Sequence, residues 1–588
     1  IEKKLLRNSD LKENVENQIQ QYVAKGYAHA ANEEELITVD PKTWYLPIGL
    51  VINPKKPGKV RIIWDASATV QGVSLNSTLL KGPEELITTI LPSIYFRFRQ
   101  FPYAVSGDIR EMFHQVRIRK EDSNVQRFLW RTDSSSNPTI YIMDVATFGS
   151  TCSPASARYV KDLNAATFKD QYPKAYDAII NEHFVDDFVA SFESIGEAKT
   201  IAKQVKDIHS NAGFCMRNWI SNRPEIVKEL GELDNTNEKT IGLPNEEYSE
   251  RVLGMLWTPT NDSLAYSTAF SAEAKHLFDT INRPTKRQVL KCLMSLFDPL
   301  GLISNFTIHG KILMQNAWRK RLGWDEPIDE DLYVEWKRWI ENLKFLYTLK
   351  ISRCYFAGVT SKIYNTMQMH ILVDASEQAY STAVYFRIVR PNGSIECSLV
   401  SAKSKVAPLK TIFIPRLELC GAVLGTRLAA FIQAQHNINI SKRYFWCDSK
   451  TVLGWIIGDP KRYESFVACR IDEILSATNV REWNYVPSKL NVADDGTKWS
   501  RQSALDYNNR WFQGPTFLFE TEDKWPHQEN IQEITEGLKA KYCLNVHTSL
   551  ETELNIEFEN FDDFKCLLLA TAQMVKSSKN SSGGTIEE

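Results

Sequence analysis

Two adjacent carboxylates, Asp186 and Asp187, lie between apolar residues on both sides, Phe184-Val185 before and Phe188-Val189-Ala190 after. That pattern predicts a β-hairpin with an acidic tip. Burying neighbouring carboxylates is costly unless something positive neutralises them. A divalent cation is the simplest neutraliser, because hard oxygen ligands suit Mg²⁺ and Mn²⁺. An isolated Asp-Asp pair is more often a solvated turn. Here a third carboxylate precedes it, because Asp108 ends a predicted short strand that starts at Tyr103. Asp108 either caps the turn after that strand or serves as a ligand held still by the sheet.

A second set of carboxylates begins at Asp374, where Met367, Met369, Ile371 and Val373 alternate into a strand end. Strands are predicted at about 380–389 and 395–402 by alternation. A helix begins at Ile414-Pro415, with Glu418 in its first turn and apolar positions 417, 420, 424, 428 and 431 on one face. Tyr444–Asp448 reads as another strand ending in Asp, 481–486 as a further strand, and 491–495 as the start of a helix carrying Asp494 and Asp495. Taken singly, each of these acids is more often a cap or a surface charge. In this order, at strand ends, a shared site is the better reading.

The chain of 588 residues is too long for one core, so several domains are expected. It begins at Ile1, as expected of a piece of something longer. No signal peptide and no apolar run of bilayer length is apparent. The ten cysteines form no C-x-x-C pair, so free thiols are expected. Net charge is −2, so nucleic-acid binding would need locally concentrated positive charge. Two such stretches lie near the first acidic set: Lys55, Lys56, Lys59 and Arg61, then Arg97, Arg99, Arg110, Arg117, Arg119 and Lys120.

Residues 1–36 read as helical, with Leu5, Leu11, Val15, Ile19 and Tyr22 on one face. Residues 44–64 read as a strand, a basic turn and a strand. Ser153-Pro154 opens a helix, with Pro in its first turn. Residues 270–365 are Trp- and Leu-rich, with helices expected at about 287–297, 308–322 and 331–346. They carry no evident chemistry, and the chain lacks the Asp-Thr/Ser-Gly triplet of a retroviral-type aspartic peptidase. The end of the chain is acidic and then Ser/Gly-rich, as in disordered segments, with 561–575 a candidate helix.

Asp108 with Phe113, Ser153-Pro154, Phe184-Val185-Asp186-Asp187 and Leu253-Gly254 occur in the order of reverse transcriptase motifs. The stretches RIIWDASA, DIREMFHQV, FGSTCSP and FVDDFVAS resemble the Pol polyprotein of BEL/Pao-class LTR retrotransposons. The order strand, strand, strand, helix with Glu, strand with Asp, final Asp resembles the ribonuclease H fold. The resemblance runs from about residue 44 to the end. It implies an α/β and α+β multidomain chain: a right-hand polymerase with fingers, palm and thumb, a helical connection, and a ribonuclease H-like α/β domain. The divisions it implies are 1–43, an N-terminal helical segment; 44–265, fingers and palm; 266–365, a Pao-type thumb and connection; 366–504, ribonuclease H-like; and 505–588, a linker and the start of a pre-integrase region.

The resemblance also implies roles. Asp108, Asp186 and Asp187 would be polymerase metal ligands, and Asp374, Glu418, Asp448 and Asp494 those of the ribonuclease H site, with Asp495 competing for the last place. Lys56, Lys59 and Arg61 would meet the nucleotide triphosphate, together with Ile109 (through its carbonyl), Phe113 and Ser153. Phe113 would exclude a 2′-hydroxyl. Leu253, Gly254 and Met255 would grip the primer. The implied cofactors are Mg²⁺ or Mn²⁺, two per site. The implied partners are RNA template, DNA primer, RNA–DNA hybrid and dNTPs, with protease, integrase and Gag outside this chain and no membrane. The implied location is the cytoplasm, in a virus-like particle, or the nucleus. Departures from the pattern are Phe184 for Tyr, Ser77 for Asp, Asn218 where Lys is common, and Val492 for Pro. The alternative is a catalytically inactive or domesticated nucleic-acid-binding relic. Seven retained carboxylates argue against it.

Overall fold

The computed structural model describes residues 1–37, 41–52, 60–83, 89–132, 135–231, 249–267, 283–358, 366–498, 505–527, 537–538, 568–569 and 571–573. Residues 1–538 form one unit and 539–588 a second, in which the few described residues are helical. The strands run in chain order: β1 (Ala28–Ala30), β2 (Ile48–Ile52), β3 (Val60–Trp64), β4 (Tyr103–Ile109), β5 (Arg127–Trp130), β6 (Thr139–Met143), β7 (His183–Phe184), β8 (Asp187–Phe192), β9 (Met216–Ser221), β10 (Glu250–Val252), β11 (Met255–Thr258), β12 (Ser263–Ala265) and β13 (Ile351–Ser352). A later group comprises β14 (Gln368–Ala375), β15 (Ala379–Val389), β16 (Ile395–Val406), β17 (Lys442–Cys447) and β18 (Trp483–Tyr485).

The helix Ser9–Ala24 starts where the Asn8 side chain accepts the Leu11 N–H, and buries Leu11, Val15, Ile19 and Tyr22, as their spacing predicts. That face packs with Ile62 and Trp64 of β3, Phe128 of β5 and Met143 of β6. β2 and β3 pair antiparallel, as the expected hairpin requires. Its tip, with Lys55, Lys56 and Lys59, lies outside the described residues.

The sheet that carries the first acidic set has the order β7-β8-β4-β9. Helices Ser153–Ala166 and Ile195–Asn211 contribute Ala157, Ala165, Ala198, Ile201, Ala202 and Val205 to a core shared with Val105, Phe188 and Trp219 of the strands. A small sheet, β10-β11-β12-β13, packs on the helix Leu91–Phe98.

The helices expected in the connection form at Lys286–Met294, Ser304–Arg319 and Glu330–Leu343. Thr285 and Gln288 make a capping box for the first, and Asp329 caps the third. These helices do not stand apart from the C-terminal sheet: the Leu300 carbonyl accepts the Ala402 N–H at 3.1 Å and the Ser401 hydroxyl at 2.6 Å, both from β16. A Cβ at Gly301 would come within 1.8 Å of the Ala402 carbonyl oxygen, so this seam needs glycine.

That last sheet has the order β16-β15-β14-β17-β18. β14, β15 and β16 are antiparallel, while β17 runs parallel to β14 and β18 parallel to β17. The helix Ile414–Gln435 lies on this sheet, brought close by Gly421 over the Asp374 carbonyl and Gly425 over Val373. By length and composition it could cross a bilayer, which corrects the expectation that no such apolar run exists. Its apolar surface is used instead in the core, through residues such as Leu419, Ala422, Ala429 and Ile432. Residues 505–527, expected as the start of a linker, are packed on the domain: Trp511 is fully buried, and Arg387 donates to the carbonyls of Leu518 and Glu520.

Candidate active sites

The acidic hairpin forms as its pattern predicts. β7 and β8 pair through Phe184↔Asp187, and Val185 at the tip takes the left-handed conformation at φ 55°. β4 runs beside β8 so that Asp108 stands directly opposite Asp187. The Ile109 N–H donates to the Asp186 carbonyl at 2.9 Å, which locks the tip to the end of β4. The three carboxylates are thus gathered by sheet register across 79 residues of chain.

Their electrostatics show the crowding. Burial pushes the Asp187 carboxyl up to about 7, with the charges of Asp186 and Asp108 adding to the rise. The Asp186 carboxyl is also raised, first by desolvation. Asp108 raises it further, while its own backbone N–H, Arg61 and Arg217 oppose. Asp108 itself is held by β9: Arg217 Nε donates to Oδ2 at 3.2 Å and Asn218 Nδ2 to Oδ1 at 2.5 Å.

Around this cup, Arg61 projects from β3 and stacks over the Phe148 ring at 5.1 Å. Phe113, half-buried in a short 3₁₀ turn, packs its ring 5.0 Å from the same Phe148. Ser153 is buried, and its hydroxyl donates to the Thr147 carbonyl at 2.8 Å at the start of its helix. Arg97 and Arg99, expected among surface cations, are also buried. Arg97 pairs with Glu182, and Arg99 donates to the carbonyls of Arg353 and Val400. Lys56 and Lys59 lie outside the described residues.

Leu253 and Gly254 form the two-residue turn between β10 and β11, both at positive φ, with Met255 buried behind them. Tyr95, on the helix Leu91–Phe98, donates its hydroxyl to the Val252 carbonyl at 2.8 Å and accepts from the Met255 N–H at 3.4 Å. This clasp was not expected, since no local signal marks one Tyr in an apolar helix. Two other residues were missed. Asn76 accepts the Thr151 N–H and donates to the Gly149 carbonyl, fixing the loop that carries Phe148. Gly149, at φ 120°, leaves room for the Trp64 carbonyl where a Cβ would sit 1.7 Å away.

The second set gathers at the ends of β14 and β17. Val373 is level with Cys447 in the parallel pair, so Asp374 and Asp448 emerge side by side. Glu418 lies just past the first turn of its helix, one step deeper than expected, because the helical residues run from Ile414. The buried Cys447 thiol is pushed well up, by burial first and then by Asp448, Glu418 and Asp374, which all bear on it. Burial also pushes Asp374 up to about 7; a hydrogen bond from Thr497 at 2.5 Å opposes this, and Asp448 and Asp494 add to it. Asp494 and Asp495 lie in a 3₁₀ turn, Val492–Gly496, rather than at the start of an α-helix. Asp495 is taken by a two-pronged ion pair to Arg510 at 2.9 and 2.6 Å. Asp494 bears on Asp374 and is bonded by Lys498 at 2.5 Å. Thr497 and Lys498 were not anticipated.

Among the described residues, no three His, Cys, Asp or Glu side chains stand close enough together to hold a metal ion. Register sets Asp108 opposite Asp187 and brings Asp374 beside Asp448. Asp108 is bonded by Arg217 and Asn218, Asp374 by Thr497, and Asp494 by Lys498. The donor chemistry fits hard divalent cations, since the expected ligands are all carboxylates, and burial first, then neighbouring carboxylates, raise Asp187 and Asp374.

A family profile described as the Pao retrotransposon-like RNaseH-like domain matches residues 285–449, under a third of the chain. No curated protein matches. Among solved structures, a foamy viral protease-reverse transcriptase dRH in complex with ds DNA aligns at TM-score 0.51 and 15% identity, over 82% of this chain and 70% of that one. A foamy viral protease-reverse transcriptase in complex with RNA/DNA hybrid aligns at 0.49 and 15% identity, over 82% of this chain and 54% of that one. The mixed α/β architecture of this chain thus matches that of a solved reverse transcriptase, and its segment 285–449 is similar to the ribonuclease H-like domain of Pao retrotransposons.

Proposed function

We propose that the chain is an RNA-directed DNA polymerase with ribonuclease H activity, of the BEL/Pao retrotransposon type. One observation carries the reading: two separate cups of carboxylates, each assembled from distant residues by strand register, with Asp108 opposite Asp187 in one and Asp374 beside Asp448 in the other. Residues 44–265 serve as fingers and palm, 266–365 as thumb and connection, and 366–504 as the hydrolytic domain.

Asp108, Asp186 and Asp187 would hold Mg²⁺ or Mn²⁺ in the first cup, and Asp374, Glu418, Asp448 and Asp494 in the second. Such ions, when bound, would supply Lewis-acid chemistry for phosphoryl transfer. The chain's own residues do the rest. Arg61, braced on Phe148, meets the triphosphate of the incoming dNTP. Phe113 fills the space beside the deoxyribose and excludes a 2′-hydroxyl. The Leu253-Gly254 turn, clasped by Tyr95, holds the DNA primer. In the second cup the chain positions the RNA strand of a hybrid, whose 2′-hydroxyls distinguish it from DNA.

The test is primer extension on an RNA template and cleavage of an RNA–DNA hybrid by the purified chain with Mg²⁺ or Mn²⁺. Asp186→Asn should abolish extension and spare cleavage, and Asp448→Asn should do the reverse. Absence of both activities from the unmodified chain would establish the inactive relic instead.

A further inference from the structure

β9 carries an irregularity that aims two side chains at one carboxylate. Ser106 pairs with Ile220 and Asp108 with Arg217, so Gly107 alone faces two residues, Asn218 and Trp219. This is a β-bulge, the device that re-aims side chains beside functional sites. Asn218 takes the left-handed conformation at φ 52°, which Asn tolerates better than most residues. The Trp219 ring lies over Gly107, where any Cβ would meet it at 2.9 Å, so glycine opposite the bulge is required. The outcome is that both oxygens of Asp108 are engaged, Oδ2 by Arg217 and Oδ1 by Asn218.

We propose that Arg217 and Asn218 are positioning residues that clamp Asp108 while the first cup holds no cation, and that they release it when a divalent ion binds. This rests on the polymerase reading of that cup. The clamp provides the donors that a cation would otherwise replace, and it keeps Asp108 from closing on Asp186 and Asp187. Cation binding therefore competes with two charge-assisted hydrogen bonds. Removing either bond should tighten binding, because the cation no longer has to displace it.

The experiment measures free Mn²⁺ by electron paramagnetic resonance against the full chain carrying Asp374→Asn and Asp448→Asn, which silences the second cup. Asn218→Gly removes the amide and keeps the left-handed backbone, which glycine adopts freely. Arg217→Gln removes the charge by a separate route. Each should tighten Mn²⁺ binding roughly tenfold, the effect of one such bond. Each should also lower the melting temperature of the metal-free chain, with Mn²⁺ restoring it. Unchanged or weaker Mn²⁺ binding in both variants, with binding still lost in Asp108→Asn, overturns the clamp and leaves the polymerase reading intact. If the parent binds no Mn²⁺ and Asp108→Asn changes nothing, the polymerase reading fails and the clamp with it.

Discussion

Asp374 lets the second cup be tested without any substrate. Its carboxyl is raised from the ordinary 3.8 to about 7, mainly by burial, with Asp448 and Asp494 opposing its ionisation. For an acid whose folded value is raised, the folded state binds protons more tightly than the unfolded chain. The resulting penalty is absent below the unfolded value near 4, grows as pH rises towards 7, and is complete above it. The ceiling, about three units at 1.36 kcal/mol each, is about 4 kcal/mol. Asn keeps an acceptor for Thr497 but brings an amide that needs its own partner, costing about 1–3 kcal/mol. Asp374→Asn should therefore stabilise the metal-free chain at pH 8 by about 1–3 kcal/mol, while abolishing hybrid cleavage. At about 2–4 °C per kcal/mol for a domain of this size, the melting temperature rises by several degrees. The assay is thermal unfolding with chelator at pH 8 and pH 5. The gain should shrink at pH 5, and Mg²⁺ should narrow it at pH 8 by stabilising only the unsubstituted chain. A lower melting temperature for the variant at pH 8, or a gap that ignores pH, would refute the view that Asp374 sits in an under-neutralised anionic cup.

Tyr95→Phe leaves the Val252 carbonyl without its donor, a loss of about 1–3 kcal/mol in the hairpin; primer extension should become weak and hybrid cleavage stay normal. Gly149→Ala forces a methyl against the Trp64 carbonyl at positive φ, so unfolding measurements should show a loss of about 3 kcal/mol or more, and extension should fall. Trp511→Ala empties a fully buried site and breaks the indole bond to the Leu302 carbonyl at 2.9 Å; denaturant unfolding should report a loss of about 3–5 kcal/mol, and a chain cut before residue 505 should be similarly destabilised.

What the sequence disclosed, and what it hid, divides along one physical line. Carboxylates at strand ends are legible because the alternation that makes the strand also fixes where it stops, so Asp108, Asp374 and Asp448 could be placed from local pattern alone. Helix starts were legible to about one turn: Ile414-Pro415 marked the beginning of its helix, and Glu418, four residues on from Ile414, falls just beyond the first turn. Whatever depends on a partner far along the chain was not legible. Ser153 was singled out only by resemblance, and nothing near it in the chain marks that its hydroxyl donates to the Thr147 carbonyl. Arg97 and Arg99 looked like surface charge because Arg usually is, yet the first is buried against Glu182, 85 residues away, and the second against Arg353 and Val400. The choice between Asp494 and Asp495 could not be made from two adjacent identical residues. In the structure Arg510, which lies outside both motifs, pairs with Asp495.

The same line runs through both groups of carboxylates. Backbone register brings the acids together, and that register is written in local pattern. Arg217, Asn218, Thr497 and Lys498 each donate to one of these carboxylates. Of these, Thr497 and Lys498 come three and four residues after Asp494, so their contacts are partly local to the 3₁₀ turn. Arg217 is the register partner of Asp108, whereas Asn218 reaches it from the bulge opposite Gly107. A one-residue deletion in β9 would restore even pairing, turn Asn218 away and leave the three strand-end acids where they are. On the proposed clamp, cation affinity is tuned from this bulge, while the register of the neighbouring strands sets the fold.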